Sequence, residues 1–555
     1  MTAHAGRLYS SPFDIAGMEV VARRLVQAIL NREKVLVFGD YDCDGICAAY
    51  IMSDFLNQCG ARASVLFPLR QDGYGIRSEQ VYRAWEEKYT LIVTVDNGIS
   101  AIDAADTARL LGIDMVITDH HEPLASIPGV PVTDPKLPGS RCYREFSGAG
   151  VAYKACCAVC ELLGRDYPEE LLDLVSLATV VDMCPLTGEN FILARQGMLK
   201  MRRSPRPGIA ALLSKAGVSR ITGQVMSWVL GPPINAAGRM SDPMLAYRLI
   251  AAETYTEAER LAQELDQIRK KRQEEVKKVT EVCLAQDDSR AFALFASPDW
   301  SEGIIGIAAG RLMETLMRPV AVGSICGDKV QFSARSPGEF NLIEALDECQ
   351  RRKKVFLTHG GHKSAAGFSM LEKDLPVVKQ TLHEIALNML RPEDAVEWLD
   401  IDTRLDAVPT PDEVIELDLL EPHGNQNPVP TFYVKDCVVE VKTGSGWFLV
   451  RTGAGFKFFT SKPAGVGDVV HTALSLAIDE YKGTLSIIGR ALDVRSFIFA
   501  REDLLERYLA WRKGKEIPKW AEVIFNELGL ARTGSNEKTS LFKSPTFLKY
   551  GSIKA

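Results

Sequence analysis

No run of about 18 or more consecutive apolar residues occurs in the chain, so no membrane-spanning helix is expected. Met1 to Ser11 is short and polar and lacks the apolar core of a secretory signal. The twelve cysteines show no framework spacing. Only Cys157 and Cys160 form a C-x-x-C pair, preceded by Cys156, and no second pair or histidine pair lies nearby to complete a zinc site. Val151 to Leu163 reads as an apolar helix, so these are expected to be buried free thiols in a reducing cytoplasm. An excess of positive charge is missing as well. The net charge is −7 and the pI about 5.8, which argues against a protein that coats nucleic acid by bulk charge but leaves room for a local basic groove. The balance is uneven, because residues 501–555 carry 11 Lys/Arg against 7 Asp/Glu. The rest is ordinary globular composition, 46% apolar and 25% charged over 555 residues, enough for about three to five domains.

Residues 35–119 alternate between short apolar runs and amphipathic stretches. The runs are Val35 to Phe38, Ala63 to Phe67, Leu91 to Val95 and Met115 to Ile117. Helix-like segments separate them: Ile46 to Cys59, stopped by Gly60, then 78–88 and 101–111. Such spacing predicts βαβ units, hence an α/β fold with a parallel sheet covered on both faces. Ligands of such sheets bind beyond the carboxyl ends of the strands. The acids lie there. Asp40, Asp42 and Asp44 follow the first run, Asp96-Asn97-Gly98 ends the third, and Asp119-His120-His121-Glu122 ends the fourth. A later apolar run, Leu177 to Val181, reads as one more strand and ends in Asp182-Met183-Cys184-Pro185. Carboxylates and imidazoles together suit Mn²⁺, Mg²⁺ or Zn²⁺, and crowded carboxylates repel one another without cations.

Three other readings fit less well. Asp-Gly pairs are common turn residues, but turn chemistry does not explain acids at four run ends, one with two histidines. Asp40-x-Asp42-x-Asp44-Gly45 matches half of an EF-hand loop, yet position 12 is Ile51 rather than Glu, and a strand precedes it. No G-x-G-x-x-G or G-x-x-x-x-G-K-[ST] follows the first strand.

With G-D-Y-D-x-D-G and D-N-G before it, Asp119-His120-His121 resembles the signature of the DHH phosphoesterase superfamily. The resemblance implies that Asp40, Asp42, Asp44, Asp96, His120 and Asp182 hold two divalent ions, Mn²⁺ or Mg²⁺. It further implies that Asp96 bridges them and that His121 contacts the scissile phosphate or assists proton transfer. Two such ions can clamp the attacking and leaving oxygens of a phosphodiester.

Residues 254–282 predict one long polar helix opened by the capping-box spacing Thr254-x-x-Glu257. Gly231 to Arg239 lies before it. After it come three glycine- or arginine-bearing patches: Trp300 to Gly306, Ser333 to Ser336 and Gly360 to Gly367. Glycine permits close backbone approach to an anion, and arginine offers a fork for phosphate oxygens. Together these resemble the DHHA1 domain of the same superfamily. Asn235 and Arg239 match its N-A-A-G-R stretch, and Ser333, Arg335 and His362 match positions implied to hold a terminal phosphate or the strand backbone. Ser301 stands where the family has histidine, and Pro233 where it has arginine.

From about 395 the pattern becomes short alternating segments with glycine-rich turns, which predicts a small antiparallel barrel of OB type. Lys442, Arg451, Lys457 and Lys462 are interleaved with Trp447, Phe448, Phe458 and Phe459. A single-strand binder needs basic groups on the backbone and aromatics under the bases; core packing is the competing use of such aromatics. Glu421 to Pro430 resembles the E-P-F-G-x-G-N-P-x-P stretch of the RecJ exonuclease family, with His423 and Gln426 departing from it. The expected layout is a DHH domain at 1–253, a connecting helix at 254–285, a DHHA1 domain at 286–394, an OB domain at 395–500, and a helical segment with a basic, unstructured tail at 501–555.

The resemblance implies a cytoplasmic exonuclease of DNA repair and recombination. It would degrade single-stranded DNA from the 5′ end to mononucleotides, with a single-stranded-DNA-binding protein and a helicase as partners; work on one strand needs no symmetry, so a monomer is expected. A DHH phosphodiesterase for oligonucleotides or cyclic dinucleotides is the alternative, although such relatives stop after the DHHA1 part. A pyrophosphatase would leave the barrel without a use. A non-catalytic replisome scaffold would be expected to have lost metal ligands, and all six are present.

Overall fold

In the computed structural model, residues 9–68, 75–390, 399–481, 484–495 and 499–533 are described, together with 541, 544, 546, 547, 551 and 552. They form two compact units, Met1–Glu274 with Asp418–Pro428, and Glu275–Leu417 with Val429–Ala555. Among the described residues, no helix is long and apolar enough to cross a membrane.

The first unit opens with α1 (Met18–Leu30), β1 (Lys34–Phe38), α2 (Cys43–Cys59), β2 (Arg62–Leu66), α3 (Ser78–Glu86), β3 (Leu91–Val95), α4 (Ile102–Leu111), β4 (Asp114–Thr118) and β5 (Val132–Thr133). Every strand pair is parallel, in the order β2-β1-β3-β4-β5. β3 is buried along its whole length, which is why it is continuously apolar rather than alternating. Val35, Val37, Leu91, Val93 and Val95 face a core shared with Ile46, Ala49 and the helices beyond. Leu36, Phe38, Ile92 and Ile117 pack on the opposite side with Val81, Ala84, Ala104 and Ala108. Helices thus cover both faces, and the open ground lies at the strands' carboxyl ends.

Next come α5 (Gly148–Leu163), α6 (Leu172–Val181), α7 (Gly188–Arg203), α8 (Pro207–Ala216), α9 (Gly223–Val225), a π turn (Met226–Leu230), α10 (Gly231–Met240) and α11 (Pro243–Ala251). The run Leu177 to Val181 is therefore the end of a helix, not a strand. The α6 helix is buried on nearly every side, and a helix apolar all round has no stripe to tell it from a buried strand. Cys156, Cys157 and Cys160 are buried on α5 and form no disulfide.

The stretch Asp418–Pro428 returns from far down the chain to complete this unit. The Asp418 carboxylate accepts from Arg202 at 2.7 and 2.9 Å and pairs with Arg220 at 2.9 Å. Glu421 Oε2 accepts the N–H groups of Gly223 and His423, each at 2.9 Å. The segment expected to open the barrel is thus a strap on the first unit.

The long helix α12 (Tyr255–Ala285) begins in one unit and ends in the other. Thr254 Oγ1 accepts the Glu257 N–H at 3.4 Å, as the capping spacing predicts. Then follow β6 (Ala293–Ser297), α13 (Glu302–Leu316), β7 (Val320–Cys326), β8 (Lys329–Arg335), α14 (Leu342–Lys353), β9 (Phe356–Gly361), β10 (Ala365–Leu371) and α15 (Leu375–Met389), with sheet order β6-β7-β8-β10-β9. Phe332 and Phe368 stack at its centre, 4.6 Å apart.

Beyond β11 (Thr403–Arg404) and α16 (Pro411–Glu416), β12 (Phe432–Gly444), β13 (Trp447–Thr452), β14 (Lys457–Thr460), β15 (Val469–Tyr481) and β16 (Thr484–Arg495) form a barrel that closes where β12 pairs with β15. The α17 (Arg501–Arg512) and α18 (Lys519–Glu527) helices follow. The expected unstructured tail, 533–555, lies mostly outside the described residues. Phe547, however, is buried with Trp511, Ile524 and Phe525. An aromatic side chain with an apolar cluster to enter gains more from burial than a solvated tail offers it.

Candidate metal centre

Asp40 follows β1, Asp96 ends β3, and Asp119, His120 and His121 follow β4. Parallel register brings these three ends side by side, and α6 delivers Asp182 to the same place as its C-cap residue. Potential ligand atoms of Asp40, Asp42 and Asp96 lie within 4.8 Å of one another, as do those of Asp96, His120 and His121, and of His120, Asp182 and Cys184. His120 Nε2 is 3.0 Å from Asp96 Oδ1.

Each acid is held by local structure. Asp42 caps α2, accepting the N–H groups of Asp44 and Gly45 at 3.0 Å. Asp44 accepts the N–H groups of Gly148 and Ala149, both at 2.7 Å, so its two oxygens anchor the start of α5. Its Oδ2 is 3.7 Å from His120 Nε2. Among the six expected ligands, Asp44 alone falls outside the three ligand trios. Asp96 takes a left-handed backbone, φ 62°, which costs a non-glycine residue about 1–3 kcal/mol and marks a site where structure overrides local preference. Gly148 must be glycine beside it, since a Cβ would lie 2.3 Å from Asp96 Oδ1.

The electrostatics are those of a site built around cations. Burial first, then the Asp42 charge, pushes the Asp40 carboxyl up to about 8 and that of Asp44 up to about 7. Desolvation followed by the Asp44 and Asp42 charges raises buried Asp96 well above the usual carboxylate range, and the same causes raise Asp182, although its residue surface is exposed. The C-terminal end of α6 adds its own partial negative charge at Asp182. Asp40 Oδ1 is buried with no hydrogen-bond partner among the described residues. These groups fit divalent cations, which satisfy orphaned oxygens and remove the mutual repulsion.

The two histidines are driven apart. Burial, and then the charge of His121, lowers His120 to about 4, so its imidazole is neutral and able to ligate. Burial pulls His121 down as well, but the hydrogen bond and charge of Asp119 outweigh it and raise the group to about 9. Asp119 is buried and accepts from His121 Nδ1 at 2.8 Å and from the N–H groups of Ile99, His120 and His121 at 2.8, 2.8 and 3.2 Å. Sequence reasoning quoted Asp119 in the signature and gave it no role; here it orients His121 and keeps it cationic. Its place at the strand end, directly before the histidine pair, was the available signal.

The N-A-A-G-R stretch belongs to this unit rather than to the second module. It forms α10, where Asn235 Oδ1 accepts the Cys43 N–H at 2.8 Å. Gly238 packs on the loop before α2, where a Cβ would meet Tyr41 O at 1.9 Å. Sequence order placed the stretch near the long helix, and only tertiary packing returns it to the acids. Pro233 sits buried in α10, which runs on directly from the π turn Met226–Leu230.

In the second unit, β8 and β10 pair so that Arg335 stands opposite Ala365, beside the turn carrying His362. Ser301 is the N-cap residue of α13. A Cβ on Gly306 of α13 would lie 3.0 Å from Ser333 Oγ and 3.6 Å from Arg335 Nη2. The Arg335 guanidinium donates to Ala334 O at 2.8 Å. No carboxylate of the described residues pairs with it, and burial lowers its pKa.

Two family profiles match the chain. Residues 34–179 match the DHH family, N-terminal domain, and residues 288–388 match the DHHA1 domain. The chain is 31% identical to the single-stranded-DNA-specific exonuclease RecJ of Thermus thermophilus over 87% of this chain and 71% of that protein. It is 33% identical to the Escherichia coli protein of the same name over 70% of each. The chain belongs to the RecJ family. The Bacillus subtilis RecJ is 36% identical, over 79% of this chain and 58% of that longer protein. A crystal structure of the Thermus RecJ with Mn²⁺ superposes at TM-score 0.76, 28% identity, over 90% of this chain and 76% of that one. Its Mg²⁺ complex superposes at 0.70.

The barrel of this RecJ-family chain divides its aromatics. Phe458 is buried and Phe448 packs against the same core. Trp447 and Phe459 are exposed, with ring centroids 5.3 Å apart in an edge-on pair. Lys457 is exposed, Arg451 and Lys442 share Glu440 at 2.9 and 3.5 Å, and Lys462 pairs with Asp493. Two aromatics therefore serve the core, and two are offered to solvent.

Proposed function

We propose that this chain hydrolyses single-stranded DNA as a metal-dependent exonuclease, releasing mononucleotides from the 5′ end. The crowded acid-histidine edge carries the reading. Asp40, Asp42, Asp96, His120 and Asp182 would hold two divalent ions, Mn²⁺ or Mg²⁺, with Asp44 behind them fixing α5 and facing His120. The ions supply charge neutralisation and activation of the attacking and leaving oxygens. The protein's own part is geometric and electrostatic. His120 is kept neutral to ligate. His121, held protonated by Asp119, offers a positive donor to a phosphate oxygen and a proton to a leaving group. Asn235 fixes the loop of Asp42 and Asp44 through the Cys43 N–H, and Arg239 follows one turn later on the same helix.

Ser333, Arg335 and the His362 turn form an anion-ready patch in the second unit, suited to a terminal phosphate or the strand backbone. On the barrel, Trp447 and Phe459 give stacking surfaces, with Lys442, Arg451 and Lys457 as backbone contacts. Cysteines without disulfides among the described residues suit a cytoplasmic protein. Work at one strand end requires no symmetric partner, which favours a monomer. A single-stranded-DNA-binding protein and a helicase would supply substrate in repair and recombination.

The test is a single-stranded oligonucleotide labelled at either end, incubated with Mn²⁺, Mg²⁺ or EDTA, beside the Asp96→Ala protein. Metal-dependent mononucleotide release from the 5′ end, absent in the variant, supports the reading. Turnover of dinucleotides with no cleavage of long strands would replace it with a small-substrate phosphodiesterase.

A further inference from the structure

Cys184 is buried two residues beyond Asp182. Its thiol donates to Asp182 Oδ2 at 3.5 Å, and ligand atoms of His120, Asp182 and Cys184 all lie within 4.8 Å of one another. The loop bearing the thiol is fixed. The Cys184 N–H donates to Thr179 O at 3.1 Å, the Asn425 side chain donates to Met183 O at 2.7 Å, and the Leu186 N–H donates to Asn425 O at 2.8 Å. One sulfur, one imidazole nitrogen and one carboxylate oxygen form a donor set typical of zinc, whereas oxygen-rich sites suit magnesium and manganese.

We infer that the metal centre has a second, thiophilic mode, in which Zn²⁺ or Cd²⁺ binds through His120, Asp182 and Cys184 and excludes the working ion. The inference rests on the proposed assignment of His120 and Asp182 as ligands, which both modes would share. Binding exchanges the S–H bond for an S–metal bond and releases one proton to solvent, with no change of oxidation state. Zinc is thereby an inhibitor that competes with Mn²⁺ or Mg²⁺.

Cobalt(II) reports this site without turnover. The full chain titrated with Co²⁺ should develop a near-ultraviolet sulfur-to-cobalt charge-transfer band. Cys184→Ser and Cys184→Ala should lose it while keeping the other eleven cysteines. In the unaltered chain, Zn²⁺ should also slow alkylation of Cys184, read by peptide mass, and leave exposed Cys326 unchanged. The Zn²⁺ concentration that halves each protein's own Mn²⁺-supported rate should rise about 10-fold or more in Cys184→Ser, the scale of a lost metal-site contact. A band that persists in both variants, or Cys184 alkylation indifferent to Zn²⁺, overturns the inference. Because the spectrum and the alkylation need no substrate, they decide it even if the nuclease reading fails.

Discussion

The strand ends of the first unit and the Arg335 patch of the second are unbalanced in opposite senses. Around Asp96, buried carboxylates outnumber the positive groups that face them, and one Asp40 oxygen has no hydrogen-bond partner among the described residues. Around Arg335, a half-buried guanidinium has no carboxylate to meet it among the described residues. Structural ion pairs do not look like this. The Lys154–Glu189 pair in the same molecule is buried and self-sufficient, with Ser10 completing it on both sides. Uncompensated charge of one sign thus sets these two places apart from a structural pair: negative in the first unit, where it fits cations, and positive in the second, where it would suit an anion.

The sharpest way to break the comparison is to remove one charge from each side and read function and unliganded stability separately. Asp96→Ala should lower metal-dependent hydrolysis at least about 1,000-fold, a loss of several kcal/mol of transition-state stabilisation. Asp96→Asn should raise the melting temperature in EDTA, because it relieves burial and repulsion, and should lose the further rise on adding Mn²⁺. A lower melting temperature in EDTA would mean the carboxylate serves the fold. Next in size, Arg335→Ala should raise KM for 5′-phosphorylated strands about 10- to 100-fold, the scale of a charge-assisted hydrogen bond, and leave the metal-free melting temperature level or higher. It should also erase the preference between phosphorylated and unphosphorylated ends. On the barrel, where side chains are balanced or exposed, Trp447→Ala should weaken single-strand binding about 10-fold by loss of stacking; Phe458→Ala should instead unfold the barrel. The smallest effect is expected at the strap. Gln426 has φ 58° where the family pattern has glycine, so Gln426→Gly should stabilise the chain by at most about 1 kcal/mol in a denaturant titration.

Much of this was readable in the sequence for one reason. Buried parallel strands are continuous apolar runs, and their ends are short loops, so Asp40, Asp96 and His120 could be placed at one edge by counting. Asp182 was placed correctly, but on the wrong element, because α6 has no polar face. The long-range features were not readable: no local pattern says that Asn235 accepts from Cys43, or that Asp418 meets Arg202. Asp119 was seen and passed over, since burial and four donors, not residue type, define its role. Cys184 was quoted only as a neighbour of Asp182, because its role depends on where α6 ends relative to β4.

The strap also sets an order in time. Asn425 steadies the loop that carries Asp182, yet roughly 150 residues are translated between Glu274 and the strap's end. At about 5–20 residues per second, a nascent chain spends many seconds with its acids folded but their last support unmade. Metal-centre assembly is therefore tied to synthesis of the strap, which precedes β12 in the chain, and a chain cut short before residue 418 would lose the support of the Asp182 loop along with everything that follows.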